Sequence, residues 1–480
     1  MLRFALFVAV ALAVSSAVAG ASPSVTLVKL STDPYTNGTS QHKTEVEPDS
    51  FAFGSTIVMA FQVGRFTDGG ASNIGWATST DNGATWTNGF LPGTTVFATP
   101  AGPYGRVSDP SVAYDKKHDA WIIVSLAITS GGSSIGPITS RSTDGGLTWQ
   151  NPVVVPVSGA GFPDKTWIAC DDTPSSPFYG NCYVTWDDAG SGDLVEMNTS
   201  TDGGLTWGAK KSTADNAHGL GGQPVVRKNG TVVVPYTADF NGVRYFTSTN
   251  GGTSWNASVA VASQTDHGVA GNIRAEPLPS AEIDKRGRVF VAWNDCRFRS
   301  GCSANDIVYA IIKPNGSVSN VKRVPIDAVG SGRDHFAPGI AVDVATAGTS
   351  THIGLTYYYY PVSNCGSTCK LHIGFVSSTD GGSTWSSPTE LAGPMTPTWL
   401  ANTNQGRMFG DYISTSFVNG KAFPAIIVAN APSGSVFDEA AYTVVGGLAQ
   451  TAPGTASAAN DQPVPNAASD HPPAIAPTAY

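Results

Sequence analysis

Short apolar runs recur along the whole chain, each rich in β-branched and aromatic residues. They read STIVMAFQ (55–62), AWIIVSLAI (120–128), GNCYVTW (180–186), TVVVPYTA (231–238), RVFVAW (288–293) and HIGLTYYYY (352–360). Their length and their Gly, Asn and Pro boundaries predict strands rather than helices. In the last run, TYYYY, alternation predicts two buried rings and two facing outward. A polar start, often with Pro, precedes each run. Seven such starts can be counted: EPDSFAF (47), SDPSVAYD (108), DKTWIACDD (164), GQPVVRKNG (222), EPLPSAEIDKRG (276), FAPGIAVD (336) and GDYISTSFVNG (410). A third strand follows each run and leads into a recurring turn string. The string reads STDNGATW (79–86), STDGGLTW (142–149 and again 200–207), STNGGTSW (248–255) and STDGGSTW (378–385). The box starts lie 63, 58, 48 and 130 residues apart, and IIKPNGSV (311–318) stands in the long gap as a degenerate copy without its Trp.

Units of 54 to 74 residues with about four strands cannot bury a face alone. Arranged radially they share one core, so the expected fold is all-β, a β-propeller. The seven starts predict seven blades, whereas counting boxes would give six. The strand VTLVKL (25–30) is expected to complete the last blade and close the ring.

Within STDGGLTW each residue has a local structural task. The Asp accepts from the amides of its own turn, the Gly pair takes positive φ, and the Trp buries a face against the blade. A calcium loop needs several oxygen ligands, and each copy offers one carboxylate or, at Asn250, none. The string S-x-D-x-G-x-T-W resembles the Asp-box of the sialidase-like (BNR-repeat) proteins. Its Asp positions are Asp81, Asp144, Asp202 and Asp380, with Asn250 in the fourth copy. The resemblance spans roughly residues 25 to 447. It implies that the boxes join third and fourth strands, remote from any catalytic centre.

Composition narrows the class. Gly 54, Pro 32 and only 13% charged residues suit a turn-rich β protein, and the net charge of −9 argues against a nucleic-acid partner. The start MLRFALFVAVALAVSSAVAGA reads as a secretion signal over residues 1–19, ending in Ala17-Val18-Ala19 and too short to span a bilayer. No membrane attachment is expected, and the chain is expected to be a secreted monomer. Six cysteines fall into close pairs, Cys170 with Cys182, Cys296 with Cys302 and Cys365 with Cys369. Local disulfides are expected, since zinc spacing is absent. No cofactor or metal is expected. Sequons stand at Asn37, Asn198, Asn229, Asn256 and Asn315. From 448 to 480 the chain is Ala/Pro-rich and expected to be disordered.

If the boxes occupy one rim, chemistry belongs to the other, where arginines gather and where the same register places Asp68, Asp164, Lys165, Arg274, Arg299, His335 and Asp411. Candidates for an anion clamp are Arg65, Arg106, Arg297, Arg333 and Arg407. Sialidases of the resembling superfamily hold a substrate carboxylate with three arginines, attack with a Tyr activated by a Glu, and use an Asp as acid/base. That implies Tyr412 and Glu276 as the nucleophilic pair and Asp109 as acid/base, by register alone. The F/Y-R-I-P motif that carries the family's first Arg is absent. Each Arg also has a bland role, tying a loop carbonyl or a neighbouring Asp, as Arg106 with Asp109; Glu47, Asp49 and Asp109 can equally cap strand starts. Three functions follow: a glycoside hydrolase on terminal anionic sugars, a non-catalytic carbohydrate- or protein-binding propeller, and a polysaccharide lyase.

Overall fold

The computed structural model describes residues 25–451 and 461–463. The signal segment at 1–19 and most of the tail lie outside the described residues. The apolar runs are strands, and the helical elements among the described residues are single 3-10 turns such as Ala189–Ser191. Four consecutive antiparallel strands make each of the first six units. The first sheet comprises Glu45–Phe53, Thr56–Arg65, Ala71–Ser79 and Thr87–Phe90, and the second Arg106–Asp115, Ala120–Ile128, Ser134–Ser142 and Val153–Val154. These two are joined by a single pairing of Ala71 with Val107.

Separate four-stranded sheets begin at Pro163, Val225, Ser280 and Asp334. The last unit runs Ser414–Val418, Lys421–Ser433 and Val436–Val444, and Leu27–Lys29 pairs with its outer strand, Leu27 opposite Val444. The N-terminal strand therefore completes the last sheet, as the sequence predicts. Leu448–Ala449 also pairs with the Lys421 strand, so strand structure continues past the boundary expected at 447.

The first strands of successive sheets touch in chain order. Val112 N donates to Asp49 Oδ2 (2.8 Å), Lys165 N to Asp109 Oδ2 (3.0 Å), and Ala281 N to the Gln223 side chain before the fourth sheet (2.8 Å). Ile340 N donates to Ser280 Oγ (3.1 Å) and Thr415 Oγ1 to Gly339 O (2.9 Å). Ser414 and Ser416 return to Ser50 Oγ at 2.9 and 2.8 Å. Between these strands lies a cavity of about 340 Å³, lined by residues of all of them, including Asp49, Val112, Ile168, Val225, Glu282, Val342 and Thr415.

The boxes latch each sheet to the one before it. In the second copy, Asp144 accepts from Leu147 N (3.0 Å), Thr148 N (2.9 Å) and Ser142 Oγ (2.7 Å), and Gly146 N donates to Ser142 Oγ (3.0 Å). Asn250 does the same with its amide oxygen, accepting Ser254 N at 3.0 Å. The second Gly then meets the preceding sheet. Thr78 donates to Gly146 O (2.7 Å), Tyr309 to Gly382 O (2.8 Å) and, at the degenerate turn, Tyr245 to Gly316 O (3.0 Å). In the first copy Gly83 lies flat on the ring of Phe423 in the last sheet, with no room for a Cβ. Gly takes the left-handed φ of +79° there and lets the backbone approach. Trp149, Trp207, Trp255 and Trp385 are buried beneath their boxes, each stabilising by roughly 1.5–3 kcal/mol through the area removed from water.

All four rings of TYYYY are buried, because both faces of that sheet pack against neighbours; the expectation of two outward rings does not hold. The three disulfides join the sequence neighbours expected. Asn198 is buried, with its Nδ2 donated to Pro156 O and Gly208 O at 2.9 Å, so this sequon is not presented at the surface. Asn229, Asn256 and Asn315 are exposed, and Asn37 is half-buried.

Candidate functional site

Pairing registers separate the two rims. Glu45 faces Val63 across the first two strands, so first-strand starts lie beside second-strand ends, while Ile57 faces Ser79, where the box begins. At the rim away from the boxes the first strands carry β-bulges. Pairing shifts between Val46 and Asp49, Ser108 and Ser111, Asp164 and Trp167, and Phe336 and Gly339. The bulged residues are Glu47, Asp109, Lys165 and Ala337, with φ of 54°, 49°, 51° and 48°. Pro48, Pro110 and Pro338 follow three of them, a position where the missing N–H costs no ladder bond. A non-Gly residue in this conformation costs on the order of 1–3 kcal/mol, strain that collects at functional positions.

The bulges on three adjacent sheets turn Glu47, Asp109 and Lys165 toward one buried centre. Gln62 Nε2 donates to the Glu47 carboxylate and to Ser108 Oγ (3.1 Å), and its Oε1 accepts from Arg65 (3.0 Å). Ser108 Oγ donates to Asp109 Oδ1 (2.6 Å), whose other oxygen holds the Lys165 amide. The Lys165 ammonium and the Arg274 guanidinium both bind Asp411 Oδ2. Asp164 and Asp187 face each other across the third sheet. Every one of these charged side chains belongs to a residue at most 7% exposed.

Five carboxyls thus share a buried site with three cations, and the proton affinities of Glu47, Asp164, Asp187 and Asp411 are driven apart. Burial pushes Glu47 well up, reinforced by Asp109 and Asp411. Burial raises Asp164 to about 7, against the opposing pull of Lys165. Asp187 is likewise pushed well up by burial and then by Asp164, and neither of its oxygens has a hydrogen-bond partner among the described residues. Burial acts on Asp411 too, yet Arg274 and Lys165 outweigh it and hold that carboxyl well below the usual range. Asp411 is held in its charged form, whereas burial favours the protonated forms of Glu47, Asp164 and Asp187.

Of the residues singled out by sequence, Arg65, Asp109, Asp164, Lys165, Arg274, Asp411 and Tyr412 lie at this centre. Tyr412 packs edge-on against Trp167 (4.8 Å between centroids) and donates its hydroxyl to Pro110 O (2.9 Å). Burial raises its hydroxyl pKa strongly, and the foremost acids acting on it are Glu47 and Asp109. Glu276 is half-buried two positions beyond Arg274. Arg106 pairs with Asp68 (2.6 Å) rather than Asp109, donates to Ser130 O (3.2 Å) and lies over Phe66. Arg297 forks onto Asp295 at 2.8 and 2.6 Å. Arg333 is exposed. Arg407 donates to Leu400 O (3.0 Å), and its backbone oxygen receives the Arg274 amide (2.8 Å), so it helps place Arg274.

Glu47, readable as a strand cap, and Asp187 are the central groups that sequence reasoning gave no chemistry. A signal existed: Asp187 ends an apolar second strand with a charge, and Glu47 and Asp109 both stand before Pro at a strand start. A second cluster, Asp306, Asp327 and His335, has ligand-type atoms within 4.8 Å of one another. Arg299 and Arg323 already bind both carboxylates there, which disfavours a cation.

The sequence matches no family model and no curated protein. Solved structures similar to the chain include a protein of unknown function from Dyadobacter fermentans, at 16% identity and TM-score 0.46, over 75% of this chain and all of that one. The leech intramolecular trans-sialidase is similar at 12% identity and TM-score 0.45, covering 72% of this chain and 70% of its own. The NanB sialidase of Streptococcus pneumoniae gives 14%, 0.46, 74% and 70%. The likeness is one of fold.

Proposed function

We propose that this chain is a secreted, seven-bladed β-propeller that hydrolyses glycosidic bonds of terminal anionic sugars at the rim opposite its Asp-boxes. The support for the reading is the opposed shifts within one buried cluster, where Lys165 and Arg274 hold Asp411 well below the usual carboxylate range against its burial while burial pushes Asp164 up to about 7 and Glu47 upward. A site that keeps one carboxyl charged and another protonated near pH 7 has its acid and base assigned. Asp164 donates the proton to the departing sugar oxygen as the glycosidic bond breaks, while a water molecule adds to the anomeric carbon and passes its proton to the ionised Asp411 carboxylate. Asp109, bonded to the Lys165 amide, orients that bulge, and Arg65, Lys165 and Arg274 supply the positive wall that draws an anionic sugar into an acidic protein. Tyr412, with its hydroxyl engaged by Pro110 O and its pKa raised, serves as a wall in the state described.

A non-catalytic glycan-binding propeller is the second reading. It is favoured by the engagement of Arg106 and Arg297 with Asp68 and Asp295, which withdraws two of the expected clamp residues. Incubation with fluorogenic sialosides and with uronate-terminated substrates separates the two. Hydrolysis with a pH–rate limb near 7 that disappears in Asp164→Asn supports the hydrolase. Absence of turnover on both substrate types, with glycan binding intact, leaves the binding module.

A further inference from the structure

On the box rim, three turns between first and second strands converge on a shallow pocket. Lys228 comes from the turn between Val226 and Val232, Lys285 and Arg286 from the turn between Ile283 and Val289, and Thr346, Ser350 and His352 from the loop between Val342 and Ile353. The three cations are exposed and form no ion pair among the described residues. Many cations elsewhere in this acidic chain are matched: Lys210 with Glu196, Arg288 with Asp284, Arg297 with Asp295, and Arg299 and Arg323 with Asp306 and Asp327. Here three unmatched positive charges share one concavity. Arg286 packs against the backbone of Gly348, whose oxygen accepts from Arg288 (2.8 Å), so the turn that carries it is braced.

We infer that this pocket is a second anion subsite, binding a sulfate or carboxylate of a glycan chain through Lys228, Lys285 and Arg286. Three cations around one concavity fit a single anionic group, whereas a polynucleotide needs a basic stripe that an overall charge of −9 does not provide. The hydroxyls of Thr346 and Ser350 suit sugar hydroxyls beside that anion. The inference rests on the glycan-directed reading above but uses other residues on the opposite rim. A chain held there is kept near the protein while its ends meet the buried cluster, raising local substrate concentration.

The test is calorimetric titration of the full chain with a sulfated oligosaccharide, a polyuronate oligomer and an uncharged oligosaccharide of equal length. Either anionic probe is expected to bind with affinity that falls as salt rises, and the triple variant Lys228→Gln, Lys285→Gln, Arg286→Gln to bind it on the order of tenfold more weakly. The uncharged probe is expected to give no heat. Because the three residues are exposed, the variant folds, which thermal melting checks. Asp164→Asn retains this binding, so failure of the catalytic reading is seen separately. Equal affinity of wild type and triple variant, or tighter binding of a single-stranded oligonucleotide of matched charge, overturns the inference.

Discussion

Asp144 at the box rim and Asp164 at the opposite rim carry the same side chain and are shifted in opposite directions. At the box, the slight burial that raises the pKa is outweighed by the Thr148 hydroxyl and turn amides, and the carboxyl falls to about 2. At the cluster, burial dominates, and Asp164 rises to about 7. An exposed acid ringed by its own turn's donors is a fastener. A buried acid among other acids has its pKa held near neutrality, where a proposed proton donor would need it. The contrast teaches that residue type says little about role until solvent access and donor supply are known.

The sharpest way to break that contrast is Asp164→Asn. Removal of a general acid is expected to lower turnover on an anionic glycoside by roughly 10²–10⁴-fold, read from kcat at neutral pH. The same variant tests linkage. Because the folded pKa lies above the unfolded 3.8, the stability associated with Asp164 is complete below about 4 and is lost as pH rises through about 7. Melting temperature should therefore fall less steeply across that window in the variant. An unchanged slope contradicts the assignment.

Next in size is Asp411→Asn, which leaves Lys165 and Arg274 facing a neutral amide in a buried site. A loss of about 3–5 kcal/mol is expected in denaturant unfolding, together with lost activity. Gly204→Ala is smaller. It forces a Cβ into left-handed backbone with Ile122 2.9 Å away, and should cost about 1–3 kcal/mol while activity per folded molecule stays intact. If that variant loses activity in its folded fraction, the two rims are coupled rather than separate.

The smallest effect belongs to Asp144→Asn. Its folded pKa is depressed, so its contribution is present above 3.8 and fades as pH falls through about 2. The variant should melt slightly lower at pH 6 and match wild type near pH 2. Asn250 already carries the amide in the fourth copy and keeps the Ser254 amide bond, which is why the effect is expected to be modest.

Much of the fold was legible because its causes are local. Alternating apolar runs bounded by turns made the strands, the Gly pair and Trp made the boxes, and VTLVKL was left over to pair with the last sheet. Arg65, Asp109, Asp164, Lys165, Arg274, Asp411 and Tyr412 were legible as residues of that rim by register. Arg106 and Arg297 stand at the same rim, but the partners they engage, Asp68 and Asp295, are chosen by loop shape. Asp68 arrives by a neighbouring turn, and Asp295 sits two positions before Arg297 at a strand end. Asn198 satisfies a sequon, yet it is buried by packing of the third sheet.

By itself, then, the sequence determined the strands, their number per unit, the box turns and the disulfide partners, all set by contacts within a few residues or one repeat. Tertiary structure alone decided which charges meet. Glu47, Asp109, Lys165, Arg274 and Asp411 come from separate sheets and loops, and their protonation depends on how completely the assembled centre excludes water. That quantity belongs to the assembled sheets and to no single stretch of the chain.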